Sequence, residues 1–230
     1  MQAIHAALIA AATLIAAMPQ ARAQTPELIA TEVVTYFEVT PSGATEAANL
    51  LRQLAAASRK EAGNFAYVVL QQIERPSQFA ILETWKDARA LQAHDAGAAM
   101  KQFRERLDPL RVGYYDQRID TPIDVVPLTA PPDKDSIYVV THIDVTGPFK
   151  DEAIAMMKTL AADSRPQAGC QRFEVWDQNN RLNHFTMVEV WKDRAALDAH
   201  NAAAPAREFR DKLGHMMGAL YDDRRYRSLE

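Results

Sequence analysis

The sequence predicts an α+β fold made of two tandem ferredoxin-like (βαββαβ) units that close into one barrel within a single chain. Three observations carry this. A shift of 106 residues lays the second half on the first without a gap: Glu83-Thr84-Trp85-Lys86-Asp87 falls on Glu189-Val190-Trp191-Lys192-Asp193. The same shift pairs Ser58-Arg59 with Ser164-Arg165, Gly63 with Gly169, Phe103-Arg104 with Phe209-Arg210 and Tyr115-Asp116 with Tyr221-Asp222. A period this long marks duplicated domains, not the short repeat of a solenoid. Within each copy the apolar pattern switches between strand and helix in the order of the split βαββαβ unit. Such a unit carries its helices on one sheet face and leaves the other to be covered, and two copies on one chain can cover each other.

Each element is readable from its pattern. Val33 to Val39 alternates β-branched and aromatic residues and stops at Thr40-Pro41-Ser42-Gly43; Ile137 to Val145 matches it and stops at Gly147-Pro148. Ala47, Leu50, Leu51 and Leu54 fall on one helical face, repeated by Ala153, Met156, Met157 and Leu160. Gly63 and Gly169 follow these helices, where a left-handed residue ends a helix well. Tyr67 to Ile73 then pairs with Phe79 to Trp85, and Phe173 to Trp176 with Phe185 to Trp191. Asp87 and Asp193 are N-caps for a second helix, interrupted near Gly97 in one copy and Pro205 in the other. A last strand carries Tyr115 or Tyr221. The expected organisation is a leader over 1–23, a first unit over 30–120, a Pro-rich linker over 121–135 and a second unit over 136–228.

Composition narrows the function classes. Of 230 residues 48% are hydrophobic and 24% charged, as in a soluble globular protein. A formal net charge of −4 argues against a general nucleic-acid binder. Ala6 to Ala17 is apolar apart from Thr13, and Ala21-Arg22-Ala23 follows, the pattern of a secretory signal peptide cleaved after Ala23. The run is too short for a convincing membrane span. The mature protein is therefore expected in the periplasm or outside the cell, with no integral membrane span after processing. Cys170 is the sole cysteine, so no internal disulfide is available, and its counterpart is Asn64. The thiol reads as packing.

Phe-x-x-x-Glu-x-Trp-Lys-Asp-x-x-Ala-Leu-x-x-His, present as Phe79 to His94 and as Phe185 to His200 and followed by Phe103 or Phe209, resembles the antibiotic biosynthesis monooxygenase (ABM) domain of the dimeric α/β-barrel superfamily. The resemblance covers nearly all of both copies. It implies an intramolecular pseudo-dimer, with room for further oligomerisation, that oxygenates an electron-rich aromatic such as a quinol or anthrone. O2 would be the co-substrate, and no metal, flavin or heme would be needed. Heme-degrading members of the superfamily use a Trp and a His on the second helix. Those positions fall here at His94 and His200 and at or near Arg104 and Arg210, so that activity is disfavoured.

The candidate catalytic residues are His94, His200, Glu83 and Glu189. A histidine titrates near neutrality and suits a phenolic proton, while a carboxyl among apolar neighbours must be paired or shifted in pKa. Each also has a bland reading, as a helix-to-sheet brace or a buried ion pair. Candidate substrate contacts are Trp85, Trp191, Tyr36, His142, Phe79, Phe185, Tyr115 and Tyr221. The second copy, richer in histidine (His142, His184, His200, His215), is the favoured active half. Those histidines lack metal-site spacing, so no metal is expected. The alternative to an enzyme is a periplasmic small-molecule-binding or stress-response protein on the same barrel. A pocket with a base and aromatic walls would favour the enzyme, an open apolar groove the binder.

Overall fold

A computed structural model describes residues 30–127 and 130–230; the expected leader lies outside them. The first half runs β1 (Thr31–Glu38), α1 (Ala44–Ser58), β2 (Asn64–Gln72), β3 (Gln78–Trp85), α2 (Ala88–Asp95), α3 (Ala98–Leu107) and β4 (Asp116–Asp124). The second repeats it as β5 (Ile137–Asp144), α4 (Lys150–Ser164), β6 (Cys170–Gln178), β7 (His184–Trp191), α5 (Arg194–Ala202), α6 (Ala204–Leu213) and β8 (Asp222–Ser228). This is the βαββαβ order twice, with the second helix split in both copies. β4 continues through Pro122 to Asp124, into the segment expected to be linker.

The eight strands close into one antiparallel barrel in the order β1-β3-β2-β8-β5-β7-β6-β4. Each half supplies four consecutive strands, and two seams join them: β4 with β6, and β2 with β8. Under the 106-residue shift these seams are the same contact made twice, as a pseudo-dimer requires. Closure leaves no sheet edge to recruit another chain.

Strand alternation divides the interior into three apolar layers. Val34, Leu70, Leu82, Val140, Trp176, Val188 and Tyr226 point into the lumen. The opposite face of each half-sheet packs against its own helices. Val33, Phe79, Ile81 and Trp85 meet Leu51, Leu54, Leu91 and Phe103; Val139, Phe185, Met187 and Trp191 meet Met157, Leu160, Leu197 and Phe209.

Three local devices fix the second helix against the sheet. Asp87 accepts from the Ala90 backbone N–H and Asp193 from that of Ala196, both at 2.9 Å. Gly63 and Gly169 sit at φ 85° and 86° in the turns into β2 and β6, a left-handed conformation that favours glycine; the helices before them end earlier, at right-handed Arg59 and Arg165. A Cβ there would also come within 2.8 Å and 2.6 Å of the methyls of Ala90 and Ala196. Pro205 occupies the first turn of α6, where its missing N–H costs nothing.

Candidate active site

Glu189 and Trp191 share the helix-facing side of β7, and α5 brings Leu197 and His200 down onto them. The Trp191 indole donates to Glu189 Oε2 at 2.8 Å, and His200 Nε2 lies 3.7 Å from the same oxygen. The imidazole stacks on the Trp191 ring with centroids 4.5 Å apart. Its other nitrogen, Nδ1, is 3.0 Å from Gln167 Oε1 in the turn before β6. Burial is the main force on both groups. It pushes the Glu189 carboxyl up to about 7, against the indole hydrogen bond that lowers it, and pulls His200 down to about 4, helped by the Arg210 guanidinium.

The group opens on a cavity of about 260 Å³ between sheet and helices. Val139, Leu160, Leu197, Ala206 and Phe209 give it apolar walls; Thr141, Glu189, His200, Asn201, Arg210, Tyr221 and Asp223 give it polar ones. Arg210 donates to the Asn201 side chain at 3.2 Å and to its carbonyl at 2.6 Å. A neutral amide thus holds the guanidinium in place without cancelling its charge. One wall therefore carries a carboxyl that titrates near neutrality, and another carries a fixed positive charge.

The first half repeats the core of this arrangement. The Trp85 indole donates to Glu83 Oε2 at 2.8 Å, His94 Nε2 stands 3.7 Å from that oxygen, and the two rings are 4.7 Å apart. Burial raises Glu83 to about 8. The surroundings differ at four matched positions. Met100, fully buried, stands where the cavity wall has Ala206; Glu61, 2.9 Å from His94 Nδ1, replaces Gln167. Asp95, ion-paired to Arg104 at 2.6 Å, replaces Asn201, and Gln117 replaces Asp223. Glu83 Oε1, His94 Nε2 and the Tyr115 hydroxyl are buried there without a hydrogen-bond partner.

The sequence-derived candidates are thus placed unequally. Glu83 with His94, and Glu189 with His200, come together as expected, and Tyr221 joins the second group. Trp85 and Trp191 are not cavity walls: both are wholly buried and hold the carboxyl and the imidazole instead. Tyr36 and His142 sit at odd register to the Glu-bearing face, so the pleat turns them toward the lumen. Tyr36 lies there between the guanidiniums of Arg118 and Arg224, and His142 Nε2 meets His184 Nδ1 at 3.1 Å. Phe79 and Phe185 share the right face but stand four residues along the strand, ~13 Å away at strand rise. Tyr115 stacks on Phe37. Cys170 is half-buried, with its thiol pushed up to about 11 by burial, as suits packing. Arg210, Asn201, Thr141 and Gln167 were not anticipated. The signal for Gln167 and Asn201 was present, because the 106-residue shift sets them against Glu61 and Asp95.

A profile of the family described as antibiotic biosynthesis monooxygenase matches residues 31–106 and 136–212. An uncharacterised protein of Synechocystis is 31% identical over 96 residues, 42% of this chain and 65% of that protein's length. YcnE of Bacillus subtilis, described as a candidate monooxygenase, is 28% identical over 86 residues, 37% of this chain and 90% of its own. Among solved structures, a candidate monooxygenase from Fusobacterium nucleatum superposes with a TM-score of 0.79 at 17% identity, over 88% of this chain and 93% of that one. An anthrone oxidase-like protein superposes at 0.68 and 13% identity, over 89% and 93%. At such identities these likenesses concern the fold, here the whole tandem barrel and not one unit of it. With one profile match in each half, together covering most of its length, the chain belongs to the antibiotic biosynthesis monooxygenase family.

Proposed function

We propose that this protein is a cofactor-independent monooxygenase acting on an electron-rich phenol of the quinol or anthrone class, and that the second-half cavity is its active site. The observation that carries the reading is Glu189, a buried carboxyl raised to about 7 that lines a cavity of about 260 Å³ with Arg210 on another wall. A base works best when its pKa lies near the working pH, so Glu189 suits proton abstraction better than His200, held at about 4. The cavity has a base and the aromatic edge of Phe209, which favours turnover over simple binding.

The chemistry balances without a further reductant. Glu189 takes the phenolic proton, and Arg210 faces the oxyanion that forms. The anion passes one electron to O2, and the resulting radical and superoxide combine at a ring carbon to form a peroxide. Loss of water leaves the quinone: a quinol plus O2 gives a hydroxyquinone plus H2O, one oxygen atom entering each product. The apolar walls exclude bulk water from the carbanion-like intermediate.

Oxygen uptake by the purified protein on a panel of reduced benzoquinones, naphthoquinones and anthrones tests this, with ¹⁸O2 to follow the label. Saturable uptake with one labelled oxygen in the organic product is expected. Tight binding without uptake on any member would support the small-molecule binder instead. We further propose export directed by residues 1–23; a mature amino terminus at Gln24 in the periplasmic fraction is expected, and an intact Met1 in the cytoplasm would overturn it.

A further inference from the structure

We propose that Gln167 is a positioning residue that holds His200 as its neutral Nδ1–H tautomer, leaving the Nε2 lone pair toward Glu189 and the cavity. At the matched contact in the first half, Glu61 puts a carboxylate where the second half has this amide. The tautomer assignment rests on the reading of the second cavity as the active site only for its kinetic consequence.

The Gln167 amide nitrogen donates to the Asp163 carbonyl at 3.1 Å, which turns Oε1 toward His200 Nδ1 at 3.0 Å; an amide oxygen only accepts, so Nδ1 carries the hydrogen. In a neutral imidazole the other nitrogen is then an acceptor. Nε2 stands 3.7 Å from Glu189 Oε2, close enough to receive a hydrogen bond from the protonated carboxyl once the site tightens around a ligand. The protonated Glu189 carboxyl thus has a hydrogen-bond acceptor in Nε2, and the imidazole carries no charge that would weaken the carboxylate as a base.

Glu61 reverses each of these terms. It offers a carboxylate to His94 Nδ1 at 2.9 Å, with Glu83 3.7 Å from Nε2, so the imidazole lies between two carboxyl groups. His94 Nδ1 thus meets a charged side chain where His200 Nδ1 meets a neutral one. Of the other charge differences, Asp95 in place of Asn201 bonds the arginine and not the imidazole, and Gln117 replaces Asp223. The charged or titratable groups near His200 are Glu189 on β7, Arg210 on α6, and Tyr221 and Asp223 at the start of β8. His94 has Glu83, Arg104 and Tyr115 in the matching places, and Gln117 for Asp223. Position 167 is the one in direct contact with Nδ1.

The test is ¹⁵N NMR of the His200 ring in the whole protein, alone and as Gln167→Glu and Gln167→Met. The wild type is expected to show the Nδ1–H shift pattern at pH 7. Gln167→Glu should raise the His200 titration midpoint by about two pH units, the size of shift an adjacent carboxylate produces. Gln167→Met, uncharged and close in size, should give a mixture of tautomers at an unchanged fold. Should Gln167→Glu fail to fold, the wild-type and Gln167→Met spectra decide alone. On a quinol turned over by the wild type, Gln167→Glu should lower kcat about 10-fold with KM little changed and move the acid limb of the pH profile downward. A wild-type Nε2–H tautomer, or a titration unmoved in Gln167→Glu, would overturn the proposal. The expected spectra with no oxygen uptake by any form would instead defeat the monooxygenase reading and leave the tautomer assignment standing.

Discussion

The two halves place a carboxyl, an indole and an imidazole in one geometry, with 2.8 Å and 3.7 Å separations in both copies, and then surround them differently. In the second half the trio opens on a cavity, its histidine meets a neutral amide and its arginine a second one. In the first, Met100 replaces Ala206, a carboxylate meets the histidine and another pairs the arginine. The comparison separates two kinds of residue. Those the fold requires, Gly63/Gly169, Asp87/Asp193 and the Glu–Trp–His trio, stay alike because each holds the second helix on the sheet. Those that give the trio space and free charge have diverged. The shared trio therefore belongs to the scaffold as well as to the candidate site, and the residues around it are what distinguish the two copies.

The strongest way to break the contrast is to exchange the wall residues. Ala206→Met should fill the second cavity and bring kcat/KM on a confirmed quinol down by ~10²-fold or more, since even ~1 Å of misplacement costs that much. Met100→Ala should cost about 2–5 kcal/mol of stability, as truncation of a buried methionine does, with turnover little changed. Steady-state oxygen uptake and thermal melts check both.

Smaller effects are expected at the histidines. His200→Ala should lower turnover about 10-fold at neutral pH, with the loss shrinking at a pH where the phenol ionises unaided. His94→Ala should leave turnover within about two-fold and show chiefly as a lower Tm, because a buried imidazole is removed from a packed helix-to-sheet contact. Rate losses in both variants that merely follow Tm would make both histidines braces.

The pH dependence of stability sharpens the comparison further. Glu189 and Glu83 titrate at about 7 and about 8 in the folded state, both above the 4.5 of a free carboxyl. A folded protein that binds protons more tightly than the unfolded chain is favoured in acid and loses that advantage as pH rises through the folded pKa. Tm should therefore fall between about pH 5 and pH 9, with Glu32 and Asp120 in the lumen, each raised to about 7 by burial, adding to the slope. Glu83→Gln keeps an acceptor for the Trp85 indole and should flatten the upper part of that decline by a few degrees. A Tm that rises over the same range would contradict the assignment of buried neutral carboxyls.

Much of the fold was legible because the duplication and the alternation are local patterns, and closure follows from two half-sheets with one bare face each. The trio was legible too, since Glu83 and Trp85 share a face by the two-residue period and His94 returns by helical spacing. The layer that holds the site was harder to read. Tyr36 and His142 looked like site residues by polarity, yet one step of strand register turns them into the lumen. The tryptophans looked like ligand platforms, but their N–H groups donate to the glutamates and their rings are wholly buried. The cavity wall includes one small side chain, Ala206, where the first half has the buried Met100, and nothing in the local pattern marks that difference.

The central claim is that Glu189, and not its twin Glu83, takes the substrate proton. Oxygen uptake by Glu189→Gln and Glu83→Gln, side by side on one confirmed quinol at neutral pH, tests it most directly. The account expects at least ~10²-fold loss of kcat in Glu189→Gln, and Glu83→Gln within about two-fold of the wild type. Equal losses in the two variants, or an active Glu189→Gln, would contradict it.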